Sequence, residues 1–145
     1  EIKDQMGPPH VFERLLTIAM ELSEEGKEGK PIGTIFVLGD HHKVMELSSQ
    51  MIINPFTGVP EHERNILNPD LKETISVAAG RHLKSSAEDS ELPQGLGARH
   101  RAALGITALT DALAVTISES NGDVRVFSKG KIFMEIEKRR KTHLR

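Results

Sequence analysis

The sequence predicts an α/β fold in which a mixed central sheet is flanked by helices, and three observations lead there. Residues 11–26, "VFERLLTIAMELSEEG", repeat apolar side chains at helical spacing. Short runs rich in β-branched residues, "TIFVLGD" and "DALAVTIS", read as strands. Asn121-Gly122 stands between two such runs late in the chain, the strongest short hairpin signal. Helices and strands alternate early and a hairpin comes late, a pattern that layers helices on a sheet.

The elements follow in order. In the first helix Phe12, Leu15, Leu16, Ala19, Met20 and Leu22 form the inner face, and Gly26 stops it. "KEGKPIG" is a loop punctuated by Gly and Pro. "TIFVLGD" is a buried strand. "HHKVMELSSQMI" reads as a helix with Val44, Leu47 and Met51 on one face, and "INPFTGVPEHERNILNPD" as loop. "DLKETI" is a short helix, "ISVAAGRHL" a strand leading into a turn, and "KSSAEDSELPQGLG" a polar loop. A helix runs from Arg99 to about Leu109 on an inner face of Ala102, Ile106 and Leu109. The next strand alternates Leu113, Val115 and Ile117; "VRVFS" returns, Lys129-Gly130 turns again, and "KIFMEIE" is a strand or the start of a helix. No internal repeat is visible.

At 145 residues the chain is one domain, long enough to bury a core. It has no cysteine, so it has neither a disulfide framework nor a thiolate metal site. A net charge of −2 and the lack of Trp and Tyr argue against a nucleic-acid binder built on stacking. No apolar run approaches the ~20 residues of a membrane span. The expectation is a soluble, cytoplasmic protein with no membrane partner. The chain starts at Glu1, which suggests a fragment of a longer protein.

The segment richest in chemistry is "LGARHRAALG", residues 96–105. A helix start already carries unpaired N–H groups and the positive end of the dipole. Placing Arg99, His100 and Arg101 there costs electrostatic energy, unless an anion sits in front of them. A phosphate at that spot is held by backbone donors and both guanidinium groups. The plain alternative is a solvated basic face. Other clusters read as ordinary surface. His41 and His42 are adjacent and point apart, His62 lies in a charged loop, and the carboxylates of "EDSE" sit on a polar loop. The basic tail "EKRRKTHLR" reads as a linker.

"GKPIGTIFVLGD", "NPFTGVPEHERNIL", "AAGRHL", "LPQGLGARHRAALGIT" and "TDALAVTISESNGDVRVFSKGKI" occur in this order. Together they resemble the diadenylate cyclase domain of the DNA-integrity scanning protein and its relatives, with the spacing of archaeal members. The resemblance covers residues 12–132. It implies condensation of two ATP into cyclic di-AMP with release of two pyrophosphates, using Mn²⁺ or Mg²⁺. Each domain holds one ATP, so two domains meet face to face, and a homo-oligomer of at least two copies is expected. By the same resemblance Arg99 and Arg101 bind the triphosphate, and His100 contacts phosphate or orients the metal. Gly97 lets the nucleotide approach, Ser118 and Glu119 lie at it with Glu119 as metal ligand, and Leu83, after Gly80, packs on adenine.

Two departures stand out. Ala98 occupies the position where the family has Thr, so a hydroxyl contact to the nucleotide is lost. The family's Asp-Gly-Ala, whose Asp holds the metal, occurs nowhere in the sequence. The resemblance implies that a strand and its turn are missing at the junction Ile75–Ser76. Removing a core strand bares the hydrogen-bonding edges of its neighbours. If the segment is truly absent, nucleotide binding without turnover is the alternative.

Overall fold

A computed structural model describes residues 11–25, 33–60, 78–84 and 97–137. The elements are α1 (Val11–Glu25), β1 (Thr34–Leu38), α2 (His41–Glu46), β2 (Ser48–Gln50), β3 (Arg81–Leu83), α3 (Ala98–Leu109), β4 (Leu113–Ile117), β5 (Val124–Ser128) and β6 (Lys131–Ile136). Four strands form one sheet in the order β1-β4-β5-β6, and β2 and β3 form a separate ribbon. All these ladders are antiparallel.

The layers follow from residue alternation. Leu113, Val115 and Ile117 of β4 point to one face of the sheet, where they meet Phe12, Leu15 and Ala19 of α1 and Val124 and Val126 of β5. Ala114 points to the other face and packs with Ala103, Leu104 and Ile106 of α3 and with Phe127. Helices thus cover both faces, and β4 is buried along its whole length. Apolar burial of this kind contributes about 25 cal/mol per Å².

Both hairpins form where the turn chemistry asks for them. Gly122 takes φ 81° after Asn121, and Lys129 and Gly130 take φ 51° and 74° between β5 and β6. Two successive positive φ values match the strand twist of a tight hairpin. A Cβ on Gly130 would also lie 3.0 Å from Ala108 Cβ, so the turn is pressed against α3. "KIFMEIE" is a strand, β6.

Several expectations are corrected. β1 is not a buried strand: all five of its residues are half-buried, because it is the last strand of the sheet among the described residues. The helix from His41 ends at Glu46, and Ser48 turns the chain into β2 through Oγ bonds back to Val44 and Met45 carbonyls. Met51 is therefore exposed instead of sharing a helical face with Val44 and Leu47. The bend at Gly80 precedes the short strand Arg81–Leu83 instead of following it. The inner face of α3 carries His100, Ala103, Leu104 and Ile106, while Leu109 is exposed. Met20 of α1 is exposed as well. The expected helix at 70–75, the junction Ile75–Ser76, His62, most of the 84–97 loop and the basic tail beyond Glu137 lie outside the described residues. Among the described residues no helix is long and apolar enough to cross a membrane.

Phe127 is wholly buried between α3 and the sheet. Phe127→Ala is expected to lower stability by about 3–5 kcal/mol, read as a fall in the urea midpoint at unchanged slope.

Candidate nucleotide site at the start of α3

The first turn of α3 sets the site. Gly97 is its N-cap, in extended backbone, and among the described residues no side chain caps the helix. The first amides of a helix lack intrahelical acceptors, and Gly97 offers them no side-chain one. A Cβ on Gly97 would meet nothing within 4 Å, and its φ of −92° suits any residue. Neither packing nor backbone conformation demands glycine here. Ala98 starts the helix, exposed.

Successive residues of a helix are turned by about 100°, and the Arg-His-Arg run is split accordingly. Arg99 and Arg101 are exposed on the outside, whereas His100 is 7% exposed and turns toward the sheet. Arg99 Nη1 lies 3.4 Å from Glu119 Oε1, on the loop after β4. Its side chain is 43% exposed and that of Glu119 67%, so water screens the pair and its net worth is about 0–1 kcal/mol. An incoming phosphate can take Arg99 from Glu119 at little cost. Gly33, just before β1, lies beneath both: a Cβ there would sit 2.6 Å from Arg99 Nη1 and 2.9 Å from Glu119 Cβ. Sequence reasoning missed Gly33, whose only signal was its place in the Gly-Pro loop before β1.

His100 has a partner that the sequence reading also missed. Arg125 Nη1 is 3.0 Å from His100 Nε2. Arg125 is held in turn by the carboxylate of Glu135, opposite it on β6, and lies 3.9 Å from Asp123 Oδ2. Phe127 flanks the imidazole, with ring centroids 5.9 Å apart. Burial, then the charges of Arg125 and Arg99, push the His100 pKa below its usual value, against a smaller opposing effect of Glu135. The signal for Arg125 was its position in "VRVFS": Val124 and Val126 go to the α1 face, so the Arg between them goes under α3. Thr116, opposite Arg125 on β4, shares that face, and its Oγ1 is buried without a hydrogen-bond partner among the described residues.

The remaining expected residues are spread around this turn. Ser118 lies in the β4–β5 hairpin, where its Oγ accepts from the Ser120 amide and its carbonyl from the Gly122 amide. Leu83 is half-buried and packs against the cluster formed by α3 and Phe127. Gly80 has a structural reason to be glycine: φ is 74°, and a Cβ would lie 2.5 Å from Ile52 Cγ1. His82 is exposed on β3. A cavity of about 140 Å³ lined by Met20, Ser23, Val124 and Ile136 involves none of these residues.

A metal fits the described residues poorly. They contain no group of three His, Asp or Glu side chains able to hold one. Glu119 faces a guanidinium, and the Nε2 lone pair of His100 is engaged by Arg125.

Residues 21–132 match the family described as DisA bacterial checkpoint controller nucleotide-binding, DAC. The chain belongs to the DAC family. A diadenylate cyclase of Methanocaldococcus jannaschii is 42% identical over 145 positions, covering 88% of this chain and 46% of that protein. One from Haloferax volcanii is 40% identical over 143 positions, covering 89% of this chain and 53% of that protein. The chain thus spans about half the length of these relatives. In both matches the aligned positions outnumber the residues of this chain they take up, so the relatives carry internal positions with no counterpart here. The DAC chain also shares its fold with a hypothetical membrane spanning protein from Bacillus cereus, at TM-score 0.61 and 22% identity, covering 90% of this chain and 65% of that one. A double mutant of DacA from Staphylococcus aureus superposes at TM-score 0.52 and 24% identity, covering 83% of this chain and 82% of that one.

The depressed His100 pKa has a consequence for stability. The unfolded chain binds the proton first, so the contribution is complete above the unfolded pKa of about 6.5 and is lost as pH falls below it. Between pH 7.5 and 5.5, wild-type stability is expected to fall more steeply than that of His100→Gln, measured by urea unfolding at each pH.

Proposed function

We propose that this chain binds ATP at the start of α3 and is the catalytic domain of a diadenylate cyclase. The observation that carries the reading is a helix N-terminus that no side chain among the described residues caps, flanked by two exposed arginines, in a chain of the DAC family. Arg99 and Arg101 bind the triphosphate together with the first amides of α3, a charge-assisted arrangement suited to phosphoryl oxygens. Gly97 leaves room above those amides, Ser118 and Glu119 border the nucleotide, and Leu83 beyond Gly80 contacts the adenine.

The reaction joins two ATP molecules. The 3′-hydroxyl of each attacks the α-phosphate of the other and gives up its proton. A new P–O bond forms as the bond to pyrophosphate breaks. Two such steps yield cyclic di-AMP and two pyrophosphates. Each chain holds one ATP, so at least two copies meet during turnover. Arg99 and Arg101 neutralise charge on the phosphoryl groups as bonding shifts toward the leaving pyrophosphate. A divalent cation, Mn²⁺ or Mg²⁺, would supply further neutralisation. Among the described residues Glu119 is the carboxylate at the site that would face it, too small a donor set to hold it alone. A cysteine-free chain that consumes ATP suits the cytoplasm.

A second reading is favoured by one observation. The sequence lacks Asp-Gly-Ala, and the relatives carry internal positions absent here. A chain continuous from Ile75 to Ser76 would bind ATP or cyclic di-AMP as a single domain without turning it over.

Incubating the protein with ATP and Mn²⁺ and detecting product by mass spectrometry separates the two. Cyclic di-AMP is the expected product; ATP binding without product favours the binding module, and no binding sinks both. A tryptic peptide Glu73–Arg81 from the natural protein tests the junction directly, since an additional segment between Ile75 and Ser76 abolishes it. Arg99→Ala and Arg101→Ala are each expected to weaken ATP binding about tenfold or more. Gly33→Ala, which drives Arg99 from its seat, is expected to weaken it less.

A further inference from the structure

We propose that Arg125 is a positioning residue of the nucleotide site, holding His100 as the tautomer that carries its hydrogen on Nδ1 and so offering the phosphates a fixed N–H donor. The inference rests on the nucleotide reading of α3 and adds a residue to it. It starts from donor chemistry. A guanidinium has five N–H donors and no acceptor. At 3.0 Å from Arg125 Nη1, His100 Nε2 therefore accepts, and in an imidazole whose Nε2 accepts the hydrogen sits on Nδ1.

The other ring nitrogen then carries the hydrogen. Nδ1 makes no hydrogen bond among the described residues. His100 keeps 7% of its surface exposed. His100 is thus pinned to the sheet at one nitrogen and free to donate at the other, between Arg99 and Arg101 in sequence. The same tautomer leaves no free lone pair on the ring. Of the two roles open to His100, phosphate donor and metal ligand, the geometry favours the donor.

Arg125 is equipped to hold this position. Its side chain is 13% exposed, it is bonded through Nε to Glu135, and it lies 3.9 Å from Asp123 Oδ2. Two carboxylates on one side orient the guanidinium so that Nη1 reaches the ring. A bidentate, rigid donor does this where a lysine would not.

The test uses the full 145-residue chain labelled with ¹⁵N, whose histidine ring nitrogens report the tautomer directly by NMR. In the wild type, His100 is expected with hydrogen on Nδ1. Arg125→Met is expected to release the ring to the mixed tautomers of a free imidazole and to weaken ATP binding by up to about tenfold, because the Nδ1–H form must then be drawn from the mixture. Arg125→Gln retains an N–H donor and is expected to restore both in large part. Glu135→Gln leaves the ring's partner in place, keeps the fold, and is expected to weaken ATP binding only a few-fold. Hydrogen on Nε2 in the wild type overturns the proposal, as does an unchanged tautomer in Arg125→Met. A changed tautomer with unchanged ATP affinity also overturns the positioning role. A wild type with the Nδ1–H tautomer that binds no ATP overturns the nucleotide reading, and with it the purpose given to Arg125, while the hold on the ring stands.

Discussion

Everything in this molecule is arranged around the complete burial of β4. Its five residues, Leu113 to Ile117, are enclosed by β1 and β5 on its edges, by α1 on one face and by α3 on the other. The strand's amide groups are satisfied by two antiparallel ladders, which is what lets so apolar a segment sit in the centre. The side chains divide the labour: Leu, Val and Ile receive α1, while the smaller Ala114 lets α3 come close. That close approach brings the first turn of α3 over the β4–β5 hairpin, where Glu119 and Arg125 reach it.

The chemistry is thus a by-product of helical geometry laid on a sheet. A three-residue basic run cannot face one way on a helix. Burying His100 throws Arg99 and Arg101 outward, and the imidazole becomes the root by which the turn is fastened to β5. Gly33 completes the arrangement from the start of β1, at the same end of the sheet, leaving space for the Arg99 guanidinium.

Much of this was legible in the sequence. The period of 11–26 located α1 to within a residue, and Asn121-Gly122 and Lys129-Gly130 marked both turns, because turn chemistry is local. The start of α3 at the Arg-His-Arg run was legible for the same reason, since the Gly before it and the apolar run after it are local signals. What could not be read depended on packing from far along the chain. The inner face of α3 was placed correctly at Ile106 but not at Leu109, and it lacked His100 because a buried histidine looks polar in sequence; its partners Arg125 and Phe127 lie 25 and 27 positions on. The His41 helix was read too long because Val44, Leu47 and Met51 repeat at helical spacing. Ser48 ends that pattern, and Arg81 secures the β2–β3 ribbon with bonds to Ser48 Oγ and to the Met45 and Ser48 carbonyls.

β1 carries a consequence for how the protein behaves at high concentration. Its five residues, Thr-Ile-Phe-Val-Leu, contain no charge, no proline and no bulge, and among the described residues its outer side is not paired. Strands that end a sheet are normally protected by such devices, since an uncovered ladder edge recruits other chains into continuous sheets. Whatever covers β1 acts as a guard against self-templating as much as a piece of the fold.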